Sequence, residues 1–176
     1  LKLCISENKK KRQSFQTIKS NKNSFLSKHF LERDKIEKKF FRSFIRNHRK
    51  PKQEIIIERG ELNYNLKLLK KVLRINPDFI ISYGCSIIKG KFLEVFKKKM
   101  INIHLGISPY YRGSATNFWP FVKNQLQFLG VTFMMIDDGV DTGKIIHQFR
   151  PNLELGDNVH TVGNKTVSYT HLTLPT

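Results

Sequence analysis

Asn102 and His104 stand two residues apart in MINIHLG (100–106), an apolar, β-branched run that predicts a strand. A period of two puts both side chains on one face of it. An amide donor beside an imidazole suits the stabilisation of an oxyanion next to a proton transfer. The loop that follows, with Gly106, Pro109 and Gly113, has the turn chemistry to shape a pocket. Further on, DDGVDTG (137–143) crowds Asp137, Asp138 and Asp141 together with Gly139 and Gly143. Carboxylates so dense repel one another unless a cation or a hydrogen-bond network receives them.

Each segment also has a plainer reading. A lone His at a strand end is more often a satisfied structural residue. DDGVDTG serves equally as a simple turn, and as a calcium loop it lacks the twelfth-position Glu. The chain carries no GxxxxGK[ST], GxGxxG or GxSxG pattern. Its two cysteines, Cys4 and Cys85, exclude a disulfide framework, argue against a Cys-rich zinc site and fit a reducing cytoplasm.

The elements that must position these residues read as strands alternating with helices. EIIIERG (54–60) is a strand, and LNYNLKLLKKVLRIN (62–76) a helix with Leu62, Leu66, Leu69, Val72 and Leu73 on one face. PDFIISYG (77–84) has the unbroken apolarity of a parallel strand covered on both faces. FLEVFKKK (92–99) is a helix, 114–124 contains another, and 130–136 is a strand with 144–149 as its continuation or hairpin partner. The expectation is an α/β fold, a mostly parallel sheet with helices on both faces. Such sheets bind ligands at the carboxyl ends of their strands, where both unusual segments fall.

The 176 residues amount to one domain. No stretch approaches the ~20 apolar residues that cross a bilayer, and the N-terminus lacks the pattern of a signal peptide. Net charge is +18, but residues 1–52 hold 17 Lys and Arg against 4 Asp and Glu, while 53–176 hold 15 against 10. The excess therefore sits in a basic segment away from the chemistry. Within it, apolar residues from Phe25 to Phe44 recur at helical spacing, which predicts an amphipathic helix with a cationic outer face; 46–53 reads as a linker. Nucleic-acid binding without catalysis would need stacking aromatics among the cations, and the aromatics here keep a core-like spacing instead.

The order Asn-x-His, then Pro-x-aromatic-Arg-Gly, then a strand, then Asp-x-Gly-x-Asp-Thr-Gly resembles the folate-dependent formyltransferase superfamily, over about 77–165. The resemblance implies a formyltransferase-type Rossmann-like fold, with Asn102, His104 and Asp141 as the catalytic residues. It places Gly84, Cys85, Ser86, Ile87 and Ile88 beside the pteridine of 10-formyltetrahydrofolate, and Asp137, Asp138, Gly139 and Val140 on the facing wall. Tyr110, Tyr111, Arg112 and Trp119 are the weaker candidates for the acceptor pocket. Departures from the pattern, Gly106-Ile107-Ser108-Pro109 after the His and NFWPFV at 117–122, suggest a less characterised branch.

The implied reaction passes a formyl group to the amine of a small molecule, an amino sugar or sugar nucleotide, without a metal. Formylation of methionyl-tRNA and hydrolysis of the formylfolate are the alternatives. The expected organisation is a basic, helical segment over 1–52, a catalytic domain over 53–166 that is cut short, and a tail over 167–176. That tail, VSYTHLTLPT, resembles a translated frame of a transposase adapter used in sequencing libraries, so it is expected to pack poorly.

Overall fold

A computed structural model describes residues 1–8, 25–47 and 51–172. Most of the basic run expected ahead of the first helix (9–24), part of the expected linker (48–50) and the last four residues lie outside the described residues.

Strand β1 (Cys4–Glu7) pairs in parallel with β2 (Glu54–Ile57). A second sheet runs in the order β3 (Ile80–Tyr83), β4 (Met100–His104), β5 (Val131–Met135), β6 (Ile145–Phe149). β3 and β4 are parallel, whereas β5 is antiparallel to both β4 and β6. The α/β expectation holds, with parallel pairing confined to the first four strands. The physical reason is the connection. A parallel partner needs a crossover, but the chain from His104 to Val131 stays at one end of the sheet, so Thr132 comes to lie opposite His104. The helix expected within 114–124 is a single turn, α5 in chain order (Trp119–Val122), because Ala115 and Asn124 take left-handed backbone and Pro120 is available only to a first turn.

The other helices are α1 (Phe25–Phe40), α2 (Arg42–Asn47), α3 (Leu66–Ile75), α4 (Gly90–Phe96) and α6 (Val159–Leu172). Helix α3 starts later than the periodicity predicts because Asn65 caps it, its Oδ1 accepting from Leu68 N at 2.9 Å. Its buried face is Leu68, Leu69 and Val72, while the expected Leu66 and Leu73 stay exposed. Leu69 and Val72 join Ile88, Phe92, Leu93, Phe96 and Met100 in one core, against which Leu3, Ile5 of β1 and Ile80 of β3 also pack. The two sheets thus share their apolar interior.

Two further expectations change. β3 is not covered on both faces: Ile81 and Tyr83 are exposed, and Ser82 points inward at 7% exposure. The Phe25–Phe44 helix breaks at Phe41, and Phe25, Leu31, Phe40 and Phe44 are exposed while Ser27 is buried. α1 packs instead along α6. At the start of the 167–176 segment α6 continues through Leu172, and the Tyr169 ring stacks on Phe149 at 3.3 Å.

Candidate active site

Asp141 is the hub of the site. Its Oδ1 accepts from Asn102 Nδ2 at 2.9 Å, and its Oδ2 lies 3.2 Å from His104 Nδ1 and accepts from the backbone N–H of Gly113 at 2.9 Å. Asn102 and His104 share a face of β4, as the period of two requires. Asp141 arrives from the loop between β5 and β6 and holds a left-handed backbone at φ 52°, a conformation Asp tolerates better than most residues. Gly143 closes that loop, where a Cβ would run into the carbonyl of Met135.

The crowded carboxylates are each received separately. Asp137 Oδ1 accepts from Gly139 N at 3.0 Å and Thr142 Oγ1 at 2.6 Å, and Asp138 pairs with Lys97 Nζ at 2.5 Å. Only Asp141 turns to the strand.

His104 is 5% exposed, and its Nε2 lies 2.8 Å from the carbonyl of Tyr111. One ring nitrogen faces a carbonyl and the other a carboxylate. Both are acceptors, so each ring nitrogen that carries a proton has a partner to donate it to. Ser82 Oγ donates to Asn102 Oδ1 at 3.0 Å, which sets the amide with its nitrogen toward Asp141. Asn102 keeps one further N–H for a ligand.

The loop after His104 is clamped from below. Ser108 N–H donates to Thr132 Oγ1 at 3.1 Å, Thr132 Oγ1 donates to Gly106 O at 2.6 Å, and Gln148 Nε2 donates to Ser108 O at 2.7 Å. Sequence reasoning singles out neither Ser82 nor this clamp. The one available signal for Ser82 is a hydroxyl inside an otherwise apolar strand, directly opposite Asn102 in the register.

These groups open on a cleft of about 810 Å³. Asn102, His104, Asp141 and the whole of 84–88 line it, as do Asp137, Gly139 and Val140. Asp138 does not, being turned to Lys97. Nor do Tyr110, Tyr111, Arg112 or Trp119. The Tyr110 ring lies 4.4 Å from Phe128, the Tyr111 hydroxyl bonds Gln125, Trp119 packs edge-on to Phe118, and Arg112 is exposed. Among the described residues no group of three His, Cys, Asp or Glu is placed to hold a metal ion.

The 84–88 segment is tied to the end of β1. Glu7 accepts from Ser86 N at 2.8 Å, Ser86 Oγ at 2.5 Å and Gly60 N at 2.9 Å. Burial pushes the Glu7 carboxyl up, but these hydrogen bonds and the charge of Arg59 outweigh it and hold the group below its ordinary value.

A family model described as Formyl transferase matches residues 4–176. The chain belongs to the formyl transferase family. Within the family it is 36% identical over 99 residues to a methionyl-tRNA formyltransferase of Thermodesulfovibrio yellowstonii, covering 55% of this chain and 32% of that protein. It is 31% identical over 100 residues to the GDP-perosamine N-formyltransferase of Brucella melitensis, covering 56% of this chain and 38% of that protein. The chain thus spans about a third of the length of these curated formyltransferases. Among solved structures, the formyltransferase PseJ from Anoxybacillus kamchatkensis, in complex with UDP-4,6-dideoxy-4-formamido-L-AltNAc and tetrahydrofolate, superposes with a TM-score of 0.53 at 28% identity, over 77% of this chain and 66% of that one. The phosphoribosylglycinamide formyltransferase of Streptococcus pneumoniae shares the fold, with a TM-score of 0.61 at 15% identity over 97% of this chain and 93% of that one.

Proposed function

We propose that this formyl transferase domain moves the formyl group of 10-formyltetrahydrofolate to the amine of a small molecule, an amino sugar or sugar nucleotide. The observation that carries the reading is the single carboxylate of Asp141 bonded at once to Asn102 and His104 on the floor of the cleft. The cleft is of the size that encloses a drug-sized ligand. Its exposed Ile87 and Val140 supply apolar surface for a flat ring, and the ordered 84–88 backbone supplies polar groups beside it.

In this reading the attacking amine forms the new C–N bond, the bond from the formyl carbon to the folate nitrogen breaks, and one proton passes from the amine to that nitrogen. Asn102 donates its remaining N–H to the oxygen on which negative charge develops, the kind of contact whose loss costs about 3–4 kcal/mol. In its protonated form His104 places positive charge beside the same oxygen. Direct donation by its ring requires the Tyr111 carbonyl bond to be exchanged for the substrate oxygen. Asp141 holds the imidazolium in orientation and keeps its proton at hand for the departing nitrogen.

The test is release of tetrahydrofolate from 10-formyltetrahydrofolate in the presence of a panel of amines. Release that depends on a sugar-nucleotide amine supports the reading. Equal release without any amine assigns a hydrolase. The identity to methionyl-tRNA formyltransferases makes methionyl-tRNA the necessary comparison substrate.

A further inference from the structure

The cleft continues past the catalytic groups to a rim built by two helices remote in sequence. His29 of α1 and His160, in the first turn of α6, face each other with ring centroids 4.7 Å apart, and Phe118 lies 5.9 Å from His29. Both histidines line the cleft, as does Arg33, one turn beyond His29 on α1. Burial, and then the neighbouring charge of His29, push His160 below its ordinary value, so the rim resists taking up further positive charge.

The acidic residues that line the same cleft are Asp137 and Asp141, and both are bonded within the site. Glu32, which favours a proton on His160, and Asp34, which pairs with Arg33 at 3.1 Å, do not line it. An anion at the edges of the two imidazoles, beside the guanidinium, would relieve their repulsion and gain charge-assisted hydrogen bonds. We propose that His29, Arg33 and His160 form a subsite for a phosphate or pyrophosphate group carried by the amine acceptor.

The proposal rests on the transfer reading above and narrows its substrate to a phosphorylated amine such as a nucleoside-diphosphate sugar. The other anion the reaction brings is the glutamyl tail of the donor. Placement argues against it, because the cation on the donor wall is Arg59, which acts on Glu7 where that carboxylate holds Ser86. The rim belongs instead to α1, α6 and Phe118.

Calorimetric titration of the chain with inorganic pyrophosphate, and separately with the mono- and triglutamate forms of tetrahydrofolate, tests this. His29→Gln/His160→Gln together, and Arg33→Gln alone, should each weaken pyrophosphate about tenfold or more and leave both folates unchanged. Arg33→Gln decides the matter if the double variant unfolds at a lower temperature than the parent. Pyrophosphate affinity that is absent in the parent, or unaltered in the variants, overturns the proposal. Selective loss of the triglutamate also overturns it and assigns the rim to the donor. If neither folate binds the parent, it is the transfer reading that fails, while the pyrophosphate titration still reports on the rim.

Discussion

His104 Nδ1 and Asp141 Oδ2 meet at 3.2 Å with side chains only 5% and 11% exposed, one from the end of β4 and the other from the loop after β5. Sealed this far from water, the pair matters to both partners, because removing either leaves the other as a buried polar group short of a hydrogen-bond partner. Asn102 shares the same carboxylate. The three residues therefore act as a unit.

The first prediction concerns that unit. Asp141→Asn keeps the side-chain shape and tolerates the left-handed backbone as Asp does, yet it replaces the carboxylate oxygen beside His104 Nδ1 with an amide. Turnover with 10-formyltetrahydrofolate should fall about 10²–10⁴-fold, and His104→Ala should do the same. Asn102→Ala should cost about 10²–10³-fold with tetrahydrofolate affinity unchanged. A near-normal rate for Asp141→Asn would rule out its assigned role.

Ser82 makes a second prediction, as a positioning residue. Its buried hydroxyl holds Asn102 Oδ1 at 3.0 Å, and without it the amide is free to present oxygen where nitrogen is needed. Ser82→Ala should lower kcat by about 5- to 10-fold, leave the donor KM in place, and be rescued in part by Ser82→Thr. A variant that changed only the unfolding midpoint would show Ser82 to be mere packing.

Legibility in the sequence follows the range of each interaction. Asn102 and His104 could be paired from spacing because strand periodicity is local. Asp141 could not. Nothing in DDGVDTG distinguishes the aspartate that turns to the strand from the two that stay in the loop, and only the family resemblance singled it out. The choice depends on Gly143 passing close to Met135 and on Thr142 capturing Asp137, which are tertiary facts. Ser82 in an apolar strand makes sense only beside its register partner Asn102. The rim pairing of His29 with His160 joins α1 to α6, and no periodicity links them. Helix α3 shows a local failure of the same kind, where capping by Asn65 and contact with the shared core turned the buried face from Leu66 to Leu68.

The close approach of Gly143 gives the third prediction. Its backbone is not left-handed, so the cost of Gly143→Ala is steric, from a methyl driven into the Met135 carbonyl of the neighbouring strand. That strand cannot retreat without breaking its pairing, and the loss should be about 2–3 kcal/mol. Gly139→Ala meets the Thr142 side chain instead, which can rotate away at the expense of its bond to Asp137, about 1 kcal/mol. Urea unfolding of both variants checks the order, and equal losses would show that the loop has room at Gly143.

Glu7 sets the last prediction, on pH. Burial raises its carboxyl, but hydrogen bonds from Ser86 and Gly60 and the charge of Arg59 outweigh this and hold it below its ordinary value. In the unfolded chain it titrates near its ordinary value. Its contribution to stability is therefore fully present above about pH 4.5 and is lost as pH falls through the lower, folded value. Urea midpoints measured from neutral pH down through this window should fall more steeply for the parent chain than for Glu7→Gln, whose side chain does not titrate. The substitution also puts an amide N–H₂ where the carboxylate received donors from the 84–88 segment. Tetrahydrofolate affinity should therefore drop at neutral pH, where the carboxylate is ionised, while the His104–Asp141 chemistry keeps its kcat. Parallel pH profiles for parent and variant would mean that Glu7 does not brace this wall of the cleft.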